Sequence, residues 1–536
     1  MMKVLQAACF SGYLLVSQEA VVVMGQINDG PWGNLGSPKV GTNSQKGIGE
    51  QVLFPDTNVI VEAHHVLPTK AKGWITPTSF EVSVYLYEDA LYDWIPFGTP
   101  LKRDYQDLQE DYNGIISKIF MQPLSQSDKD VAVLETFMNA DDDSDDLLAY
   151  DVKIQTYNFH GGMWWDSASL EAPEEMKNLE KYLWGTDMSL SRNRTIAVGI
   201  PSIDGGMIQL YMMKEDNFYP NTWEPFGPPL LGGTEDFGWM VEMSNDGDIV
   251  FGQGCIGFDD DDDIGVCYIR VFKYDAEAGS WVQLGKDIDL KDLKQRPDDG
   301  FAIDGESGYT VVVGSVDYDP NCEMSKMGGH VRVYAYDVDS GDWKPKGQDL
   351  DRLMDFTAAA SYDFGYSLDI ADDGNRVIAS VYWYDAKLLG QQGFVQTFAF
   401  DRNNGQWVLD GVPVHSGPFN SAVLSPGDGA RMVVGSEFDV MYLGSLQTFH
   451  YYTSSANSDD DGSDHHKSYN TSKGDSTASH IRSTSWKDEA LDGGVTSSIP
   501  NHKNWKTKDV RRKMLHRIRD TRNNQNNQLL RGGRTN

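Results

Sequence analysis

Three things are scarce in this chain: cysteine, positive charge and long apolar runs. Four cysteines in 536 residues exclude a fold built on disulfides. No apolar run reaches the roughly 18 to 20 residues that span a bilayer, so we expect no transmembrane segment. Basic residues number 45 against 80 acidic ones, a net charge of −35. Such a surface repels phosphate backbones and anionic lipids, which favours cations or basic polypeptides as partners and disfavours nucleic acid.

The remaining composition is that of a folded protein. Hydrophobic residues make up 40% of the chain and aromatic residues 11%, enough for a packed interior. The charge is distributed unevenly, because residues 453–536 hold 15 basic and 10 acidic residues. The preceding part therefore carries the whole negative excess.

A tryptophan followed four residues later by glycine recurs along the chain. The six pairs are Trp32/Gly36, Trp94/Gly98, Trp223/Gly227, Trp281/Gly285, Trp343/Gly347 and Trp407/Gly411. Trp165 fills the one gap, without its glycine, and successive intervals are then 62, 71, 58, 58, 62 and 64 residues. Regular spacing of this kind indicates stacked supersecondary units. Seven units are predicted.

Each unit has the pattern of a four-stranded meander. Ahead of the tryptophan lies a strand of alternating pattern such as Val331–Tyr336, with apolar residues on both sides, which predicts a sheet covered on both faces. Before that strand comes a hairpin with an Asp-Gly turn, as at Asp246-Gly247, where glycine supplies the positive φ that a tight turn requires. The sequence therefore predicts an all-β, seven-bladed β-propeller over residues 30–452. The last unit lacks a Trp strand, and the unpaired Trp32–Gly36 segment would supply it and close the ring.

Phe-Gly pairs and strand-ending glycines carry a family resemblance. Phe237-Gly238 and Phe364-Gly365, with the strand ends at Gly199, Gly252, Gly314 and Gly435, resemble the FG-GAP repeats of integrin α-chain-like propellers and, more loosely, kelch-type propellers. The resemblance implies a propeller that binds ligands. The family's calcium loop is reduced here to a bare turn, so its calcium ligands are not carried over.

Connections between the second and third strands of the units share one face, and these long loops are where binding residues usually lie. The loop face is predicted to carry three acidic groups and one aromatic group. These are Asp141, Asp143 and Asp145; Asp259, Asp261 and Asp263; Asp317, Asp319 and Glu323; and Tyr382, Trp383 and Tyr384 in the loop 381–393. Alternating carboxylates suit Ca²⁺, so Asp259, Asp261 and Asp263, with Asp317 and Asp319, are candidate calcium ligands. A solvated acidic loop without metal is the alternative, and no cofactor is required.

The chain ends and modification sites complete the expectations. Residues 1–25 have the pattern of a signal peptide and also that of an extra, degenerate strand pair, so secreted or cell-surface and cytoplasmic locations both stay open. Cys255 and Cys267 are placed to form a disulfide, and Asn193 and Asn470 begin glycosylation sequons. Residues 453–500 have the composition of a disordered linker. The basic segment 501–536 contains an amphipathic helical pattern over Lys506–Arg522.

These features favour a noncatalytic binding or scaffold propeller whose acidic loop face engages a divalent cation, a glycan or a basic protein. Two other classes stay open. One is a carbohydrate-active hydrolase with carboxylates at the channel mouth, and the other is an acidic structural or mineral-associated extracellular protein. The sequence does not fix the oligomeric state.

Overall fold

The computed structural model shows an all-β protein built from antiparallel sheets of four adjacent strands, and five of the seven described sheets carry a short fifth strand. It describes residues 31–40, 51–66, 79–104, 115–123, 131–139, 153–173, 184–185, 187–201, 205–214, 222–233, 237–256, 266–293, 300–315, 329–350, 362–385, 390–416, 420–436 and 444–452. Six sheets, here called blades 1 to 6, are each formed by strands that follow one another in the chain. A further sheet, the closing sheet, joins two short strands from the start of this region to three strands from its end.

The first half of the described chain contains strands β1 to β16. Two short strands, β1 (Trp32–Asn34) and β2 (Lys39–Val40), belong to the closing sheet. Blade 1 contains β3 (Gln51–Asp56), β4 (Val59–Val66), β5 (Ser79–Glu88), β6 (Asp93–Pro96) and β7 (Leu101–Asp104). Blade 2 contains β8 (Ile115–Pro123), β9 (Val131–Asn139), β10 (Lys153–His160) and β11 (Met163–Glu171). Blade 3 contains β12 (Met188–Leu190), β13 (Thr195–Ile200), β14 (Met207–Lys214), β15 (Thr222–Pro225) and β16 (Leu230–Leu231).

The second half continues in the same manner. Blade 4 contains β17 (Met240–Met243), β18 (Ile249–Ile256), β19 (Val266–Asp275), β20 (Ser280–Gln283) and β21 (Ile288–Asp289), followed by a 3₁₀ turn, Lys291–Leu293. Blade 5 contains β22 (Phe301–Ile303), β23 (Thr310–Ser315), β24 (His330–Asp337) and β25 (Asp342–Pro345). Blade 6 contains β26 (Tyr362–Ile370), β27 (Arg376–Asp385), β28 (Gly390–Asp401), β29 (Gln406–Leu409) and β30 (Val414–Ser416). The closing sheet is completed by β31 (Asn420–Leu424), β32 (Arg431–Ser436) and β33 (Ser445–Tyr451).

The first strands of the sheets pack against one another in a closed circuit. In order these inner strands are β3, β8, β12, β17, β22, β26 and β31, and β31 contacts β3 again. Apolar side chains fill the space between neighbouring sheets, as where Val331 and Val333 of blade 5 pack with Phe364 and Val377 of blade 6. A circuit of sheets that cover each other's faces is a β-propeller. The predicted propeller architecture is therefore confirmed.

The closing sheet joins the two ends of the propeller region, as the unpaired Trp32–Gly36 segment predicted. β1 pairs antiparallel with β33, and Trp32 lies opposite Tyr451. Trp32 is buried and donates from Nε1 to Thr397 Oγ1 of blade 6, 2.9 Å away, and to the carbonyl oxygen of Asp410, 3.0 Å away. The first strand of this region therefore holds the end of the ring to blade 6.

The same contact explains the Trp…Gly repeat. The indole of Trp343 donates to the carbonyl of Leu284 (2.9 Å), and that of Trp407 donates to the carbonyl of Lys346 (2.6 Å). Each acceptor residue directly precedes the motif glycine of the previous blade, Gly285 or Gly347. The motif glycines have φ between +73° and +99°. The repeat is thus a joint between neighbouring sheets, in which glycine bends one chain and the next tryptophan covers the bend.

One position of the predicted repeat is wrong. In most sheets the motif tryptophan lies opposite the last aromatic residue of the third strand, as Trp94 lies opposite Tyr87. In blade 2 the partner of Phe159 is Trp164, whose ring centroid lies 4.9 Å away. Trp165 instead faces outwards, 55% exposed. Two adjacent tryptophans fit the spacing equally well, and only the alternation of strand faces distinguishes them.

Gly347→Ala should destabilise the protein more than Gly405→Ala. Both glycines have positive φ, 76° and 65°, so both variants carry the backbone cost of roughly 1 kcal/mol. A Cβ at Gly347 would lie 2.8 Å from Trp407 Cδ1, whereas nothing lies within 4 Å of one at Gly405. Urea unfolding should therefore show that the free energy of unfolding of Gly347→Ala is lower than that of Gly405→Ala by about 1 to 3 kcal/mol. Equal losses would show that the Trp–Gly joint is not tightly packed.

Candidate functional site

Most of the predicted loop-face residues lie outside the described residues. These are Asp141, Asp143, Asp145, Asp259, Asp261, Asp263, Asp317, Asp319 and Glu323, together with Asn470. Their roles stay predictions. Tyr382, Trp383 and Tyr384 were expected in a loop, but they lie in β27, opposite Gly393, Gln392 and Gln391 of β28. The aromatic residues have high strand propensity and extend this hairpin, so the predicted loop 381–393 is mostly strand.

The disulfide between Cys255 and Cys267 is present. The two residues occupy paired positions on β18 and β19, and both side chains are buried. The bond joins the two strands on either side of residues 257–265. It therefore ties the base of the segment that contains Asp259, Asp261 and Asp263.

Asn193 lies in the predicted turn, between β12 and β13, and is exposed. Its Oδ1 accepts a hydrogen bond from Ser191 Oγ, and its Nδ2 donates to the backbone carbonyl of Asp246 in blade 4. Glycosylation of Asn193 stays a prediction, and a glycan there would replace the contact with blade 4.

Polar side chains of the inner strands hold neighbouring blades together around the central channel. Asp187, next to β12, accepts the N–H of Val241 at 2.8 Å, and Ser189 accepts the N–H of Met243 at 3.1 Å. Asp369 of blade 6 accepts the N–H of Leu424 of the closing sheet at 2.6 Å. Backbone groups at the inner edge of a sheet have no further strand to pair with. The side chains of the preceding sheet satisfy them.

Glu242 occupies in blade 4 the strand position that Ser189 occupies in blade 3 and Asp369 in blade 6. Those two residues accept backbone N–H groups of the next sheet, whereas Glu242 accepts a hydrogen bond from a side chain of the preceding blade. Ser189, Glu242, Ala302 and Asp369 are each the last residue but one of an inner strand. Glu242 Oε2 accepts from Ser189 Oγ at 3.4 Å. Ala302, the small residue at this position of blade 5, follows Glu242 around the channel and precedes Asp369. Glu242 is thus an acid of the channel wall with few hydrogen-bond donors.

The pKa values of both channel acids are raised. Burial raises the pKa of Glu242 to about 8, and the nearby charges of Asp187 and Asp369 add to the effect. Burial also raises the pKa of Asp369 to about 7, against the lowering effect of the N–H groups of Leu424 and Ile370. Desolvation and like charge both disfavour the ionised carboxylate. The channel therefore favours the protonated form of Glu242 at neutral pH.

A second buried group of ionisable residues lies in blade 1. His64 Nδ1 is 2.9 Å from Glu62 Oε1, and both side chains are almost completely buried. Glu81, opposite His64 on β5, forms an ion pair of 2.8 Å with Lys102. Glu62 and His64 lie on the same face of β4 as Ile60, which packs in the core shared with the closing sheet. The group therefore lies on the face of blade 1 that meets the closing sheet.

The channel acids were not among the residues predicted from the sequence. They lie in inner strands where apolar residues alternate, and no local motif distinguishes them from surface acids. Aligning the repeats at the inner strands would have shown a polar or acidic residue at the same position in blades 3, 4 and 6.

Within the described ranges, no three His, Cys, Asp or Glu side chains are arranged to hold a metal ion. The same ranges contain no helix long and apolar enough to cross a bilayer.

No protein-family model and no curated protein matches this chain. Among solved structures it is similar to a protein from Lactobacillus plantarum, with 12% identity over 52% of this chain and 84% of the other and a TM-score of 0.28. It is also similar to the WD40 domain of SCAP from fission yeast, with 6% identity over 78% of this chain and 98% of the other and a TM-score of 0.39. A third similar structure is the N-terminal domain of Chaetomium thermophilum Nup170 in complex with Nup53, with 8% identity over 79% and 62% of the chains and a TM-score of 0.39. The propeller architecture follows from the strand pairing of the chain itself.

Proposed function

We propose that this protein is a noncatalytic binding or scaffold propeller. The observation that supports this most directly is the use of the channel side chains. Asp187, Ser189 and Asp369 accept backbone N–H groups of the next sheet, so the polar groups nearest the channel stabilise the ring. A rigid ring leaves its loops as the variable, ligand-binding part.

The ring is proposed to have seven blades, with the closing sheet as the seventh, and to be related to the FG-GAP propellers. Glycine contacts between blades support the relationship. A Cβ on Gly199 would lie 1.9 Å from the carbonyl oxygen of Gly238, and one on Gly314 would lie 2.3 Å from that of Gly365. The Phe-Gly pair of one blade thus fits against the strand-ending glycine of the previous blade, which gives both parts of the resemblance a packing role.

The ligand is proposed to be a divalent cation, a glycan or a basic protein bound at the acidic loop face. The buried Cys255–Cys267 disulfide supports an oxidising compartment, because thiols in the cytosol are kept reduced. A secreted or cell-surface location is therefore proposed. Sequencing the N-terminus of the mature protein would test it, and an intact Met1 would contradict cleavage.

The cation part of the proposal is tested by melting-temperature titrations. Ca²⁺ bound at Asp259, Asp261 and Asp263 should raise the melting temperature, since a ligand that binds only the folded state stabilises it, by about 2.7 kcal/mol at one hundred times its Kd. Replacing the three residues by Asn should abolish the shift. The matched control carries the same change at Asp275, Asp337 and Asp401, which lie at the turns between the third and fourth strands of blades 4, 5 and 6.

NaCl and Mg²⁺ at matched ionic strength complete the comparison. A calcium site predicts a shift that these salts do not reproduce and that the control variant keeps. If all salts act alike, or if both variants lose the response equally, the acidic loops hold no specific cation. A lysine-rich peptide titrated into the same three proteins then tests the basic-protein alternative by calorimetry.

The raised pKa values of Glu242 and Asp369 favour one second candidate, a hydrolase of glycans. A protonated carboxyl beside a second carboxyl is what acid-catalysed glycoside cleavage requires. Incubation with an oligosaccharide panel should leave the sugars intact if the protein only binds them. Shortened products that disappear in both Glu242→Gln and Asp369→Asn would establish the hydrolase instead.

A further inference from the structure

The turn between β5 and β6 of blade 1 presents two large apolar residues to solvent. Leu91 is 63% exposed and Tyr92 is 65% exposed. Tyr92 also has a φ of +51°, a left-handed conformation that is uncommon for a bulky residue. The turn therefore combines an unfavourable backbone conformation with apolar side chains that are exposed to solvent.

Other blades avoid the backbone cost at this turn. The residue two places before the motif tryptophan is Gly279 in blade 4, Gly341 in blade 5 and Gly405 in blade 6, with φ of 61°, 66° and 65°. Blade 1 has Tyr92 in the same place. Backbone strain of this kind persists mainly where a side chain has a function, and tyrosine is one of the residues enriched where proteins bind one another.

The turn lies close to the end of the closing sheet, because Tyr87 next to the turn has Arg431 of that sheet 5.3 Å from its ring centroid. Asp89, Tyr92 and Tyr452 all lie close enough to Tyr87 to act on it electrostatically. Tyr452 is 57% exposed, and its backbone N–H is fixed by the carbonyl of Pro31 at 2.7 Å. We define Leu91, Tyr92 and Tyr452 as the Tyr92 patch. It lies where the closing sheet meets blade 1.

The described part of the chain ends at this patch. Tyr452 is the last described residue, and 84 more residues follow it in the sequence. Among them, Lys506–Arg522 contains eight basic and two acidic residues, with Val510, Met514, Leu515 and Ile518 at helical spacing. The apolar stripe of this segment matches the apolar surface of the patch, and its charge is opposite to that of Glu88 and Asp89 beside the patch, where Arg431 is a nearby basic residue.

We propose that the basic segment Lys506–Arg522 docks on the Tyr92 patch of its own propeller. The apolar stripe covers Leu91, Tyr92 and Tyr452, and the basic residues face the surrounding carboxylates. Fifty-three residues separate Tyr452 from Lys506, and a flexible chain of that length would span on the order of 40 Å, which is enough for the segment to reach the patch. Tethering gives it an effective concentration of about millimolar, at which modest contacts suffice.

A photo-crosslinking experiment on the full chain locates the contact. The photoreactive residue p-benzoylphenylalanine is placed at Tyr92 and, as a matched control, at Val338, which is 76% exposed at the corresponding turn of blade 5. Crosslinks from position 92 to residues 506–522 within one chain, with few from position 338, are expected. Crosslinks between chains, crosslinks to another segment, or equal yields from both positions would overturn the proposal.

Limited trypsin digestion of the full chain measures how strongly the segment is held. Cleavage follows the population of the open form, so a segment docked nine-tenths of the time is cut about tenfold more slowly. Leu91→Asp should restore fast cleavage within 506–522, and the matched Val338→Asp should leave it slow. High salt should accelerate cleavage of the wild type, because exposed charges are screened over about 8 to 10 Å. Equal cleavage rates in the wild type and Leu91→Asp would contradict docking.

Discussion

Trp32→Ala should lower the free energy of unfolding by about 4 kcal/mol or more, the upper range for a buried tryptophan. Trp32 is almost fully buried, bonds to Thr397 and Asp410, and stacks edge-on against Tyr451 at 5.1 Å. The guanidinium of Arg376 lies 5.6 Å from its ring centroid. Removing the indole leaves a cavity and takes one hydrogen bond each from Thr397 Oγ1 and the Asp410 carbonyl, which stay bonded to each other at 2.6 Å. The loss should therefore exceed that for burial alone.

The matched control is Trp165→Ala, because Trp165 is the same residue type on an outer strand but is 55% exposed. Its effect should stay within about 0.5 kcal/mol, as is usual for surface positions. Guanidinium unfolding followed by circular dichroism measures both. Comparable losses in the two variants would show that the closing strand does not depend on Trp32.

Glu242→Gln should make the protein more stable at pH 8 and reduce the dependence of stability on pH. The pKa of Glu242 is raised from 4.5 to about 8 in the folded protein. Between these values the folded state binds a proton that the unfolded state does not, so wild-type stability falls as pH rises through this window and levels off above it. Because solvent reaches part of the channel, we expect a gain of about 2 kcal/mol for the variant at pH 8.

The control for this prediction is Glu224→Gln on β15. Glu224 is 56% exposed and pairs with Lys214 at 2.8 Å, so its removal should leave the slope unchanged. Asp369, whose pKa is about 7, should preserve part of the pH dependence of stability in Glu242→Gln. Urea midpoints from pH 5 to pH 9 make the comparison, and a slope identical in wild type and Glu242→Gln would refute the assignment.

The sequence was sufficient to predict the repeat, the strand pattern and the closing strand. These depend on large buried residues and bend-forming glycines, such as Trp343 and Gly285, that recur in nearly every unit and leave a periodic signal. The assignment of Trp165 in place of Trp164 shows the limit of that signal. A spacing of about 60 residues does not resolve a shift of one, whereas a strand reverses its faces with each residue.

The channel acids could not be found in this way. Glu242 and Asp369 acquire their raised pKa values from desolvation and from charges on other blades, and these neighbours are far away in the sequence. The disulfide was easier, because Cys255 and Cys267 are separated by only 12 residues on two strands of one predicted unit. A pair of residues that is close in the sequence can be recognised from a local pattern, whereas contacts between different blades cannot.

The joint at Trp32 also has a consequence for biosynthesis. The carbonyl of Asp410, which accepts its hydrogen bond, lies 378 residues later in the chain. At a translation rate of about 5 to 20 residues per second, roughly 20 to 75 seconds pass between the two. Throughout that time β1 has no partner strand, and the apolar side chain of Trp32 has not reached its buried position. The ring can therefore close only after the last strands, β31 to β33, have been synthesised.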